Sequence, residues 1–352
     1  AISYFVDIYR QDAKAGNLLD AALYLSFFPK VISGPIALWK DFSVQICWAD
    51  RKLDTENFLW GLNRMILGFA KKVILADVFG LLISQISGNM SGGIDIITAW
   101  GMAFLYMLQI YYDFSGYSDI AIGCARLFGI DLMQNFKYPY FSRDIAEFWR
   151  RWHISLTTWF RDYIYIPLGG SRAGKWKSFR NTLVIFLVSG FWHGANWTFV
   201  AWGAYHALLF LPLLLLGQNR RYRDSVAENS FLPSVKELTQ MGVTFLLVLL
   251  GWILFRSEDI SQAAVYLERM FNASLFSAPQ LVGLGFGQLL LKKCFFFTAL
   301  MFVVEWIGRK QAHGLMIEDL SLPVRYVIYT VLLIIIYGFD ASNPQGFIYF
   351  QF

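Results

Sequence analysis

From Asn181 to Leu216 the chain runs thirty-six residues without one Asp, Glu, Lys or Arg. As a single helix this stretch would measure about 54 Å at 1.5 Å per residue. A bilayer core of about 30 Å is crossed by roughly 20 apolar residues, so the stretch must turn back on itself. The natural break is Ser189-Gly-Phe-Trp-His193-Gly-Ala-Asn-Trp197, with a glycine on each side of the histidine. Asn181–His193 alone would span about 20 Å, too short to cross. A helix entering there from the preceding loop therefore leaves His193 inside the membrane. Irregular backbone at such depth must be buried in protein or line a wet cavity, and an ionisable group there is a functional candidate. His193 reads either as a satisfied core residue beside Trp192 or as a reactive group. The flanking glycines and Asn196 favour the second.

Other apolar runs point to the same solvent. Val243–Phe255 with its flanks, Trp197–Leu216, Phe295–Ile307 and Tyr326–Phe339 read as helices in or across a bilayer, and Ile94–Tyr112 reads as a further span. Only 16% of residues are charged, against about 25% in a soluble domain. The 13 Trp and 18 Tyr suit interfacial aromatic belts. The net charge of +5 points to topology rather than to nucleic acid. Residues 137–180 hold nine basic side chains against three acidic ones, and Lys and Arg accumulate in cytoplasmic loops. This segment is expected on the cytoplasmic side.

The expected fold is an all-α polytopic membrane protein, one domain over 1–352 without repeats or linkers. Ala21–Ile36 is broken by Pro29, Gly34 and Pro35 and is expected to be re-entrant. Phe58–Ile83 is apolar with Arg64, Lys71, Lys72 and Asp77 embedded. Within 143–164, Ile145, Phe148, Trp149, Trp152, Leu156, Trp159, Phe160 and Tyr163 recur at helical spacing, which predicts an amphipathic helix lying in the interface. Ile260–Phe271 predicts a second one. Residues 217–237 read as a loop. AISYFVDIYR at the start reads as the last turns of a helix that begins upstream.

Cys47, Cys124 and Cys294 are too scattered for a disulfide framework. With four histidines and neither HExxH nor paired CxxC, no metal site is expected. His153, in Arg150-Arg-Trp-His-Ile-Ser-Leu-Thr157, is either a polar residue at the edge of the amphipathic stripe or a histidine at a cavity mouth. In the second case Arg150 and Arg151 would hold a phosphorylated donor. Asp113, Ser115, Ser118 and Asp119 close the span that begins near Ile94. They form either a hydrogen-bonded helix terminus or the polar lining of the same cavity, with Ser115 and Asp119 on one face. No strong nucleophile stands out, and Ser115 is not in a GxSxG elbow.

DFSGYSDIAIG (113–123), NFKYPYFSRDIAEFWRRWHISLTTWFRDYIYIPLGG (135–170) and SGFWHGANWTFVAWGAYHA (189–207) together resemble the membrane-bound O-acyltransferases. IPLGG at 166–170 favours the bacterial alginate O-acetyltransferase branch over the D-alanyl transfer proteins of teichoic acid synthesis. AISYFVDIYR and FIYFQF at 347–352 also look like segments of that family. The resemblance implies a multi-helix bundle with a cavity through the bacterial inner membrane. It maps the family's membrane-embedded histidine onto His193 and its second essential histidine onto His153. It also implies several further membrane helices before Ala1.

The resemblance implies acyl transfer, most simply of acetyl, from a cytoplasmic thioester donor such as acetyl-CoA or an acylated carrier, with no bound cofactor. The acceptor would be a hydroxyl on an extracytoplasmic polysaccharide or carrier protein, reached with an extracytoplasmic acetyltransferase partner. D-alanyl and peptidoglycan O-acyl transfer remain alternatives within the family. A hydroxyl needs a base as it attacks, and histidine suits that task near neutral pH. Burial would keep His193 neutral, Asn196 would orient its ring or donate to the oxyanion, and His153 would orient the donor or steady the leaving thiolate. Two other classes compete. A transporter would show repeated halves, which are absent from the sequence. A non-catalytic secretion scaffold would have no need of His193 and His153.

Overall fold

The computed structural model describes residues 1–46, 54–88, 95–172, 174–271, 287–317, 319–339 and 346–348, and every regular element among them is helical. Four short pieces come first: α1 (Ile2–Tyr9), α2 (Leu18–Ser26), α3 (Phe28–Val31) and α4 (Trp39–Ser43). Asn17 and Asp20 form a capping box that starts α2. The backbone turns extended at Phe27, and Pro29 is accommodated in the first turn of α3. The break expected across Ala21–Ile36 is therefore present. Tyr24, Phe27, Trp39 and Phe42 pack into one aromatic cluster that seats these pieces on the rest of the molecule.

The next helices are α5 (Thr55–Phe69), a wider π-wound stretch (Ala70–Ala76), α6 (Asp77–Gly88) and α7 (Ile96–Leu127). The first three are continuous. α7 is 32 residues long, about 48 Å, and does not stop where the apolar run stops. Asp113, Ser115, Ser118 and Asp119 are thus buried inside a helix rather than closing one. The helix alongside supplies the cations that meet the two aspartates. Arg64 and Lys71 meet Asp119 at 3.0 and 2.8 Å, and Lys72 meets Asp113 at 2.8 Å and Asp77 at 2.7 Å. Adjacent lysines both reach acids because the π winding intervenes here. Glycines let the two backbones close up. A Cβ on Gly68 would lie 2.6 Å from Gly116 O, and one on Gly61 would lie 2.7 Å from Gly123 O, the small-residue contact that helices use where lipid offers no hydrophobic drive.

The region expected to be one interfacial helix is instead α8 (Ile145–Arg151) and α9 (Ile154–Phe160), followed by a π turn at Arg161–Tyr165. Trp152 is extended and His153 takes φ 45°, ψ 52°, which breaks the helix. α8 is also buried on most sides, Ile145, Glu147, Phe148, Trp149 and Arg151 included. It can be, because its charged groups are paired, with Asp224 and Glu237 also meeting Arg143 just ahead of the helix. Glu147 Oε1 lies 3.0 Å from Arg143 and 2.6 Å from Arg151.

The long uncharged stretch folds into a hairpin of α10 (Lys175–His193) and α11 (Trp197–Leu215), turning at Gly194–Asn196. α10 starts six residues before Asn181 and is 19 residues long, about 28 Å, so His193 ends a longer helix than the apolar residues alone suggest. Gly190 is not part of the break. It lies inside α10, where a Cβ would sit 2.3 Å from Phe199 O, and Gly203 makes the reciprocal contact with Phe186 O. α12 (Val235–Arg256), α13 (Ile260–Met270), α14 (Gly287–Ile307) and α15 (Leu322–Gly338) complete the described helices. Among the described residues two helices, Trp197–Leu215 and Val235–Arg256, are long and apolar enough to cross a bilayer. Cys47 and residues 349–352 of FIYFQF lie outside the described residues.

The bundle has two distinct ends. At one, Arg143, Arg150 and Arg151 hold the loop between α11 and α12 through Asp224, Asn219 and Tyr222, and Arg309 adds Val226 O and Ala227 O. At the other lie the α10–α11 turn, the end of α12 and α13. There Asn196 Nδ2 donates to Glu258 O at 2.6 Å and Tyr266 Oη donates to Ala99 O at 2.7 Å.

Candidate functional site

His153 is 4% exposed, and its position follows from Asn135. Ile154 N donates to Asn135 O at 2.9 Å, which ties the helix break to the segment ahead of it. Asn135 Oδ1 then accepts from Ser155 N at 3.3 Å and Ser155 Oγ at 2.9 Å, and lies 3.0 Å from His153 Nδ1. A backbone N–H can only donate, so the atom facing Ser155 must be the amide oxygen. The amide nitrogen is accordingly directed to Ser118 Oγ at 3.0 Å. An oxygen facing Nδ1 requires the proton on Nδ1 and leaves the lone pair on Nε2. Asn135, wholly buried, thus fixes both ring orientation and tautomer of His153. Phe114 packs edge-on to the ring at 4.7 Å and Phe136 stacks at 6.5 Å.

His193 is the last residue of α10. Its ring packs edge-on against Trp202 of α11 at 5.3 Å and Phe255 of α12 at 5.1 Å. Phe255 is the last residue but one of α12, so His193 sits toward the end of the bundle away from the arginines rather than at its middle. Trp192 connects the two histidines. Its ring is 5.0 Å from that of His193 and 6.4 Å from that of His153. Two residues forty apart in sequence, on different elements, therefore share one aromatic wall. The half-buried state of His193 and the exposure of Phe191 and Trp192 leave that wall open on one side.

The other sequence candidates are placed elsewhere or occupied. Asn196 Oδ1 caps α11 through Thr198 N at 3.1 Å, and its amide is tied to Glu258 O, so it is a helix cap rather than an orienter of His193. Arg150 donates to Asn219 O and Tyr222 O, and Arg151 donates to Glu147 and Asp224 O. Both are consumed in fixing a loop rather than held ready for a donor phosphate. Asp113 accepts from Ile348 N at 2.6 Å besides pairing with Lys72, and Asp119 is held between Arg64 and Lys71. Neither lines the histidine wall. The buried Ser115 hydroxyl finds no partner among the described residues. Asn135 is the site residue that spacing did not reveal, since eighteen residues separate it from His153; it brings in Ser118, one of the polar residues expected to line a cavity.

The sequence is similar to proteins of several groups. It is 40% identical over 299 residues to the probable alginate O-acetylase AlgI of Pseudomonas aeruginosa, covering 83% of this chain and 54% of that protein. It is 36% identical over 255 residues to a peptidoglycan O-acetyltransferase of Helicobacter pylori, covering 72% and 47%. It is 32% identical over 220 residues to a teichoic acid D-alanyltransferase of Streptococcus thermophilus, covering 59% and 53%. The chain spans about half the length of the curated relatives it matches. A model of the membrane-bound O-acyltransferase family matches residues 6–231, a span that holds both histidines and the hairpin turn between α10 and α11, and the chain belongs to that family.

Proposed function

We propose that the protein is a multi-pass O-acyltransferase of the bacterial inner membrane, passing an acetyl group from a cytoplasmic thioester to a hydroxyl of an extracytoplasmic polysaccharide. The observation that carries the reading is the convergence of His153 and His193 on Trp192 in a chain of this family. The excess of basic residues in 137–180 supports a cytoplasmic location for the arginine-bearing end, and the α10–α11 turn then faces outward. The similarity to alginate O-acetylases supports acetyl and polysaccharide.

His193 takes the proton of the acceptor hydroxyl as its oxygen attacks the thioester carbonyl. The C–S bond breaks, and the proton taken by His193 ends on the departing thiolate. His153, with its lone pair on Nε2, accepts an N–H or O–H of the donor and sets the donor's angle to the wall. It can hydrogen-bond to a thiolate only after taking up a proton itself. No step needs a nucleophilic serine, in keeping with the absence of a serine elbow. The test is transfer of labelled acetyl from acetyl-CoA to polysaccharide in membranes carrying the full-length protein. Transfer that depends on both histidines supports the reading, and transfer undiminished in a doubly substituted protein overturns it.

A further inference from the structure

Phe347 and Ile348 are buried, and α7 holds them both. Ile348 N donates to Asp113 Oδ2 at 2.6 Å, while Asp113 Oδ1 meets Lys72 at 2.8 Å. The two carboxylate oxygens thus have different tasks. One pairs with a cation from the π stretch, and the other anchors a backbone N–H 235 residues away. A hydrogen bond to an ionised acceptor is stronger than a neutral one, and a buried N–H needs an acceptor wherever the chain puts it.

The anchor fixes the ring that precedes it. Phe347 stacks on Tyr117 at 4.8 Å and 30°, and Tyr117 lies one turn beyond Asp113 on the same face of α7. Phe347 also lies 6.2 Å from Phe114 at 62°. Phe114 is the ring that packs edge-on with His153 at 4.7 Å and 87°. It meets Phe136, the residue after Asn135, at 4.9 Å. His153 is therefore set by two different contacts. The bond between Nδ1 and Asn135 Oδ1 fixes the tautomer, but a single hydrogen bond leaves the ring free to tilt about its own line. An edge-to-face aromatic contact, whose geometry is directional, removes that tilt. Asp113 stays away from the histidine wall, yet it precedes Phe114 in the chain and anchors the segment that backs it.

We infer that Phe347 is a positioning residue for His153, acting through Phe114, and that the hydrogen bond from Ile348 N to Asp113 holds it in place. The inference rests on the acyl-transfer reading, in which the tilt of His153 decides where Nε2 meets the donor. The experiment separates the two by reading the ring as well as the reaction, on full-length protein in detergent labelled with nitrogen-15 histidine. Phe347→Leu keeps most of the apolar volume without the ring, and Ile348→Pro removes the N–H that Asp113 accepts. Both should move the ring resonances of His153 and leave those of His206, packed among Phe148, Trp149 and Trp202, where they are. Both should lower acetyl transfer about two- to tenfold, the range of one aromatic contact. Added to His153→Gln, Phe347→Leu should cost nothing further, because a residue that acts only through His153 has nothing left to act on. Unmoved His153 resonances in whichever variant accumulates, or an equal loss of transfer with and without His153, overturns the inference. Moved His153 resonances in a protein whose unsubstituted form transfers no acetyl group leave the positioning standing and remove the acyl-transfer reading instead.

Discussion

Replacing Asn135 tests how His153 is held. In Asn135→Ala, the Nδ1 proton of His153, Ser155 N and Ser155 Oγ all lose the single oxygen that accepts them, and Ser118 Oγ loses its donor. A buried polar group left without a partner costs about 1–3 kcal/mol. The ring itself loses one such bond, the one that selects its tautomer and angle. If that bond is what keeps Nε2 ready, transfer should fall about tenfold to a hundredfold, since each 1.4 kcal/mol is one decade. Asn135→Asp separates orientation from simple packing. The carboxylate still accepts from Nδ1 and Ser155, and Ser118 can rotate to donate. Its charge favours the imidazolium, so activity should survive at high pH and decline as pH falls, a shift that a purely structural role would not produce. The assay is polymer acetyl content in cells expressing each full-length variant at matched membrane levels, followed by a pH series on isolated membranes. Near-normal transfer by the alanine variant, or an unshifted pH profile for the aspartate variant, would refute Asn135 as a positioning residue.

Four other outcomes follow from the same geometry. His193→Gln keeps a polar side chain but no base, so transfer should fall about 10²–10⁴-fold while the protein accumulates normally; near-normal acylation would leave His153 as the only candidate base. His206 is wholly buried between Phe148, Trp149 and Trp202, with both ring nitrogens unpartnered among the described residues, so His206→Gln should reduce membrane accumulation yet leave activity per molecule close to normal, as quantitative blotting beside the transfer assay would reveal. Asp119→Asn leaves Arg64 and Lys71 without their shared carboxylate, a loss of about 3–5 kcal/mol for a broken buried pair, and the thermal midpoint of the purified protein should drop accordingly. Ser171→Cys should react with a permeant thiol reagent and resist an impermeant one added to intact cells; labelling from outside would reverse the assigned orientation.

The hairpin was legible because its signal is local. An uncharged run longer than a bilayer is thick must turn, and Gly194 with Asn196 marks where. The charges within α5 and the π stretch were visible, but their partners were not. Arg64 finds Asp119 fifty-five residues away, and only the close glycine crossing of α5 on α7 brings the two into register. The 143–164 region shows where periodicity misleads. An aromatic stripe with interspersed arginines looks the same whether the helix is half-exposed or buried. The discriminating signal was present, since Arg143, Glu147 and Arg151 alternate in charge at four-residue spacing, which lets Glu147 pair with both arginines. Nothing local marked the left-handed backbone of His153, because a non-glycine residue adopts it only when tertiary contacts enforce it. Here Asn135 supplies them.

That break also sets where the two histidines can meet. α10 rises about 28 Å from Lys175 to His193, which carries His193 to the end of the bundle remote from the arginines. An unbroken amphipathic helix at the arginine end would have left His153 a membrane thickness away. Instead α8 is drawn inward, its charges paired through Glu147 with Arg143 and Arg151 and through Arg143 with Asp224 and Glu237, and its last residues reach the depth of Trp252 near the end of α12. The chain reverses at Trp152–His153, so His153 is presented to Trp192 at the deepest point of that excursion. Pairing of the charges at α8 is therefore a requirement for the site, not only for stability. A Glu147 replacement that left Arg143 and Arg151 buried and unbalanced would favour withdrawal of α8 toward the arginine end and would separate the histidines even where the surrounding helices stayed folded.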